Sequence, residues 1–314
     1  VHVYCWDLDR TYLDTDIHSV RGLVRAALES ASDKRNIPGS ATLLRALLQH
    51  DPLARAAIVS GSPEQMRTVL SAKLTLDGVQ FETMVLKDNL RNIRKGRLRA
   101  IRGQLGYKLP QLLALRAARA SDTREILFGD DSEADALIYC MYRELVAGRM
   151  AEPEMIELLR RGGAYDDQVD LACRSLAAVV KAEAVDAVFI HADRRLPLQH
   201  YDRLGGEVLV VFSWFQAALS LWSAGRLGLA GVEAVADRCA VRGEFDGTGM
   251  TALIQDAVRR RLIAREPLLS LLEASVTLAP LLQPTLRALE WLGDYQRASG
   301  STPDWHAFLA LLRH

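Results

Sequence analysis

Short apolar runs recur along the first two thirds of the chain: Val3–Trp6, Ala56–Val59, Ile126–Phe128, Ala187–Ile190 and Val208–Phe212, with Thr83–Leu86 a weaker sixth. Runs this short, bounded by polar or turn-forming residues, predict strands buried on both faces. Between them the apolar positions change to helical spacing. Leu43, Leu44, Leu47 and Leu48 share one face of a helix expected over Ala41–Leu48, behind Pro38-Gly39, and Leu112, Leu113 and Leu115 do the same over Pro110–Ala118. Another helix is expected over Asp135–Ala147. Strands alternating with helices predict an α/β fold with a parallel sheet flanked by helices. In such sheets reactive groups gather beyond the carboxyl ends of the strands.

Two stretches break the rhythm. Residues 152–182 read as an insertion of two helices, Pro153–Arg161 and Asp166–Lys181, and beyond residue 228 no convincing strand appears. Val232–Cys239, Met250–Arg261, Pro267–Leu278, Thr285–Tyr295 and Asp304–Leu312 are helical by periodicity. The expected organisation is therefore an α/β domain over 1–228 and an all-helical C-terminal module over 229–314. Residues 208–225 carry no charge and reach the minimum length of a membrane span. Their internal order argues against one: a β-branched run, then Ser213 with Gln216 as a capping box, then a helix that Gly225 ends.

With 39 basic and 39 acidic residues among 314, the chain has no net attraction to nucleic acid or anionic membranes. One local patch stands out, Lys87 to Arg102, with Arg91, Arg94, Lys95, Arg97 and Arg99 between. It reads as a solvated face or as a surface for an anionic substrate or lipid headgroup. Cys5, Cys140, Cys173 and Cys239 show no metal-ligand spacing and are expected reduced and buried. No signal-peptide pattern precedes the first strand, and the sequence reads as cytoplasmic.

The chemistry gathers at the predicted strand ends. Asp7-Leu8-Asp9-Arg10-Thr11 follows the first strand, Ser60 the second, and Asp130, Asp131, Glu133 and Asp135 crowd the loop after Phe128. Carboxylates at such density are costly without a cation, and magnesium takes one or two of them, with water and phosphate completing its shell. Asp7 and Asp130 are its candidate ligands. Ser60 and Lys108 are candidates to grip phosphoryl oxygens, and Asp9, on the same side of an extended chain as Asp7, is placed to move protons. A carboxylate can attack an anionic phosphate ester where a cation and fixed donors cancel the repulsion. Ser62-Pro63-Glu64-Gln65 has the pattern of a helix cap, so Ser62 is expected as the cap and Ser60 as the phosphate ligand. Lys87 and Lys95 rival Lys108. Either Asp131 or Asp135 is expected as a supporting acceptor for waters or Lys108.

These motifs, VHVYCWDLDRT, AAIVSGSP, GYKLPQLLAL and EILFGDDSEAD, resemble in order and chemistry those of the haloacid dehalogenase (HAD) superfamily of phosphohydrolases. Within it GDDSEADALIY looks like the motif of the phosphatidate phosphatase catalytic domain group. Arg10 and Gly61 stand where that group commonly has Asp and Asn. The resemblance implies an HAD-like Rossmannoid sheet and a magnesium-dependent phosphatase working through an aspartyl-phosphate. Asp7 would be the nucleophile and Asp9 the acid–base. Magnesium would lie on Asp7, Asp130 and the main-chain carbonyl of Asp9, with phosphate on Ser60 and Lys108, and Thr11 would brace the loop.

The short interval between Thr11 and Ser60 leaves little room for a large cap, so an open mouth is expected, suited to a lipid phosphate, a phosphoprotein or a polymer end, unless the helical insertion or the C-terminal module roofs the site instead. The alternative reading is a non-catalytic phosphate-sensing or protein-binding scaffold that works through its helical module.

Overall fold

The protein was analysed as a computed structural model that describes residues 1–15, 30–88, 103–192, 196–205, 208–241, 246–288 and 302–312. Most of the basic stretch, Arg91 to Arg102, lies outside the described residues, as does the second half of the helix expected over Thr285–Tyr295.

Six strands, β1 (His2–Trp6), β2 (Arg55–Pro63), β3 (Thr83–Lys87), β4 (Arg124–Asp130), β5 (Val185–His191) and β6 (Val208–Val211), form one sheet in the order β3-β2-β1-β4-β5-β6. Every pairing is parallel. The chain builds outward from β1 to β3 and then returns to lay β4 against the other side of β1. That reversal is the switch point at which open α/β sheets form a crevice. It sets Asp7 and Asp130 side by side, because Trp6 is level with Phe128.

Alternation along β1 feeds two cores. Tyr4 and Trp6 face one, with Ile58 and Phe128; Val3 and Cys5 face the other, with Val59 and Leu127. On the first face Trp6, Phe128 and Phe189 stack across three adjacent strands, with ring centroids 4.2 and 5.3 Å apart. Each such pair contributes about 0.5–1.5 kcal/mol beyond area burial. The stack lies directly beneath the strand ends and forms the floor of the crevice.

The helices are α1 (Ser40–His50), α2 (Arg67–Leu76), α3 (Leu105–Ala117), α4 (Asp135–Val146), α5 (Glu152–Arg161), α6 (Asp166–Ala178) and α7 (Trp214–Ser223), followed by α8 (Leu229–Val241), α9 (Gly247–Arg259), α10 (Arg265–Ala274), α11 (Ala279–Ala288) and α12 (Trp305–Leu311). Helices α1, α2 and α7–α11 cover the Trp6 face, and α3–α6 and α12 cover the other.

Residues 208–225 fold as the strand, cap and helix that their pattern predicts: the Ser213 hydroxyl accepts from the Phe215 N–H at 3.2 Å, and Gly225 adopts φ 67°. No helix among the described residues is long and apolar enough to cross a membrane. The expected cysteine burial holds for Cys5, Cys140 and Cys239, whereas Cys173 is half-buried, and none of the four forms a disulfide.

Two local expectations are corrected. Helix α3 starts at Leu105, earlier than expected, and carries Pro110 inside it, with Lys108 in its first turn. Ser62 is not a cap. Strand β2 runs past Ser60 through a register shift to Pro63, a 3₁₀ turn over Glu64–Met66 follows, and neither it nor α2 has a side-chain cap.

Candidate active site

Three carboxylates meet at the switch point. Oxygen atoms of Asp7, Asp130 and Asp135 lie within 4.8 Å of one another, and all three residues are buried. Asp7 follows β1, Asp130 ends β4 and Asp135 opens α4. The approach depends on Gly129, since a Cβ there would stand 2.6 Å from Asp135 Oδ2 and 2.7 Å from Asp135 Cβ.

The Lys108 ammonium enters this group from the first turn of α3. It lies 2.6 Å from Asp135 Oδ1, 2.9 Å from Asp7 Oδ1 and 3.3 Å from Glu133 Oε2, with no exposure to solvent. Burial opposes its charge, but Asp135, Asp7 and Glu133 outweigh burial and hold its pKa well above the ordinary lysine value. Burial pushes Asp7 and Asp130 well above the usual carboxylate range and raises Asp135. Lys108 opposes the shift on each, while the neighbouring acids add to it. One ammonium does not balance this many acids. Asp135 Oδ2 is buried without a hydrogen-bond partner, and the donor set is all oxygen, the kind that hard divalent cations take. The residues fit a metal ion, and Asp7, Asp130 and Asp135 are the side chains that would hold it.

The loop after β1 turns back on itself through Arg10, whose φ of 59° is left-handed, a conformation that costs a non-glycine residue about 1–3 kcal/mol and gathers at functional sites. Thr11 then reaches back, its hydroxyl donating to Asp130 Oδ2 at 3.1 Å and lying 3.4 Å from Asp7 Oδ2. The Trp214 indole N–H donates to the Thr11 carbonyl at 3.0 Å, which ties the loop to α7.

Asp9 stands apart from the three-carboxylate group. Its side chain accepts from the hydroxyls of Ser62 and Thr15 at 2.5 and 2.6 Å, with Ser60 at 3.4 Å. Burial raises its pKa, and the Ser62 and Thr15 hydroxyls oppose the rise. Any part of Asp9 in metal binding therefore rests on its main chain.

Between the two candidate supporting acids, Asp135 takes Lys108, while Asp131 Oδ2 accepts from the Leu196 N–H at 3.2 Å and the Tyr201 hydroxyl at 3.3 Å. Lys87 is buried at the end of β3, donates to the Gly103 carbonyl at 2.9 Å and lies over the Tyr107 ring; Lys95 is outside the described residues. Three residues of the site went unassigned in the sequence. Glu133 bridges Lys108 and the Gln104 amide, Ser132 donates to Asp130 through both its N–H and its hydroxyl, and Thr15 holds Asp9. Only Glu133 had a local signal, its place in the acidic loop.

Residues 5–152 match the family model described as phosphatidate phosphatase APP1, catalytic domain. The matched stretch contains all the site residues above except the Trp214, Leu196 and Tyr201 supports. No curated protein and no solved structure matches the chain.

Proposed function

We propose that the protein, whose residues 5–152 match a phosphatidate phosphatase catalytic-domain model, hydrolyses a phosphomonoester with the help of magnesium, through an aspartyl-phosphate on Asp7. A phosphatidate or similarly bulky lipid phosphate is the proposed substrate class. The observation that carries this reading is the Asp7 carboxylate at the sheet's switch point, flanked by Lys108 and facing Asp130 and Asp135.

In the first half-reaction an Asp7 oxygen attacks phosphorus, the bond to the leaving oxygen breaks, and Asp9 supplies the proton that the departing alkoxide takes up. In the second, Asp9 accepts a proton from water, the water oxygen attacks the same phosphorus, and the bond to Asp7 breaks to release phosphate. Ser60 and Lys108 bear on the phosphoryl oxygens, and Thr11 keeps the loop closed on Asp7 and Asp130. Magnesium, when bound, would be held by the side chains of Asp7, Asp130 and Asp135 and the main-chain carbonyl of Asp9, and would neutralise phosphoryl charge.

In this reading the helices of 229–314 form a module resting on the catalytic domain, with α8–α11 packed into the Trp6 core. The enzyme works in the cytoplasm, where its four cysteines, none in a disulfide, stay reduced.

The test is hydrolysis of p-nitrophenyl phosphate and of phosphatidate in mixed micelles, with and without magnesium. Wild type should turn over both only with the metal. Asp7→Asn should abolish turnover with the fold intact, whereas Asp9→Asn should cost about 10²–10⁴-fold on phosphatidate, whose alkoxide needs the proton. Near-normal hydrolysis by Asp7→Asn would remove the nucleophile assignment.

A further inference from the structure

The Asp9 carboxylate is gripped by one hydroxyl on each oxygen. Ser62 donates to Oδ2 at 2.5 Å from the end of β2, and Thr15 donates to Oδ1 at 2.6 Å from the chain beyond the catalytic loop. Ser62 has no exposure, and its N–H also donates to Ser60 Oγ at 3.1 Å. The register shift between Ser60 and Pro63 carries Ser62 to this place. Two anchors on separate segments fix both the position and the plane of a carboxylate, where a single bond would leave it free to turn. Ser60, at 3.4 Å from Asp9, is only weakly engaged, which divides the work at the end of β2: Ser62 holds the acid and Ser60 stays available to phosphate.

We infer that Ser62, with Thr15, is a positioning residue that fixes the orientation from which Asp9 delivers its proton to the leaving oxygen. The inference rests on the phosphatase reading. The plainer role, satisfying a buried carboxylate, predicts something different. Losing Ser62 would then lower stability and affect all substrates alike, since a good leaving group and a poor one differ in their need for a proton and not in their need for a folded site.

The experiment compares kcat/KM for p-nitrophenyl phosphate, whose leaving group departs without protonation, with that for an alkyl phosphate, whose alkoxide cannot. Ser62→Ala should lower the alkyl value by about tenfold or more and the aryl value by less than about threefold, a share of what general acid catalysis supplies. Thr15→Val should act in the same direction, and Thr15→Ser, which keeps the hydroxyl, should restore the wild-type ratio. In an Asp9→Asn background Ser62→Ala should add no further loss, because the acid it positions is already gone.

Equal losses on both substrates, or a full additive loss in the Asp9→Asn background, overturn the inference while wild-type turnover leaves the phosphatase reading standing. A wild type that hydrolyses neither substrate overturns both. If Ser62→Ala does not fold, the Thr15→Val and Thr15→Ser pair decides by the same ratio.

Discussion

Two buried lysines flank the crevice with opposite electrostatics. Lys108 is surrounded by acids and keeps its charge, whereas burial lowers Lys87 to about 8, with Glu133 the main opposing influence. Unfolded lysine titrates near 10.4, so between about pH 8 and 10 the unfolded chain binds more protons at this position than the folded one. Stability from this residue therefore rises with pH across that window, and the cost of burying its charge is fully present below it. Lys87→Met should raise stability at pH 7 on the order of 1–3 kcal/mol, with a smaller gain at pH 10. Urea melts at the two pH values measure this, and a gain that did not shrink would place the effect in packing. The sequence made Asp7, Asp9, Lys108 and Asp130 legible because each belongs to a motif at the mouth of the sheet. It could not rank Asp131 against Asp135, since the two share a loop and only the first turn of α3 decides which one meets an ammonium. Ser62 was misread because Ser-Pro-Glu-Gln satisfies a capping pattern locally, while sheet pairing keeps the chain extended through it.

At the scale of elements, the placement of Lys108 depends on a neighbour outside the matched stretch. Helix α6 lies along α3, and Gly106, two residues before the lysine, has no room for a side chain. A Cβ there would stand 2.7 Å from Gln168 Oε1, 2.8 Å from Ala164 Cβ and 3.0 Å from Ala164 Cα, so backbone as well as side chain would have to move. The helical pair over 152–178 thus buttresses the turn that carries the ammonium. Gly106→Ala should cost about 1–3 kcal/mol in stability and lower kcat/KM beyond what the unfolded fraction explains. A kcat/KM within about twofold of wild type, corrected for folding, would deny the buttress a part in catalysis. The elements themselves were legible from periodicity. Helix α3 was placed too late because Pro110 reads as a first-turn residue, although the solvent-free packing of Leu105, Gly106 and Lys108 holds the helix open to an earlier start.

Over the whole molecule, the six-stranded parallel sheet follows from the alternation of apolar runs. The destinations of the last helices do not, because amphipathic stripes show that a face is buried without showing against what. Helices α8–α11 join the Trp6 core and α12 crosses to the other, so the described C-terminal helices embrace the sheet on both faces. One consequence of this embrace is optical. Trp214 and Trp6 are both buried, their rings lie 5.0 Å apart, and the indole N–H of Trp214 rests on the carbonyl of Thr11, the residue whose hydroxyl touches Asp130. A cation drawn to Asp7 and Asp130 would pull on that loop and change the field at the indole. Intrinsic fluorescence should therefore titrate with magnesium in the absence of any substrate. Trp214→Phe should silence most of the signal, and Asp130→Asn should shift the titration to higher metal concentration. An emission spectrum indifferent to the metal would mean that the loop does not carry its occupancy to the aromatic floor.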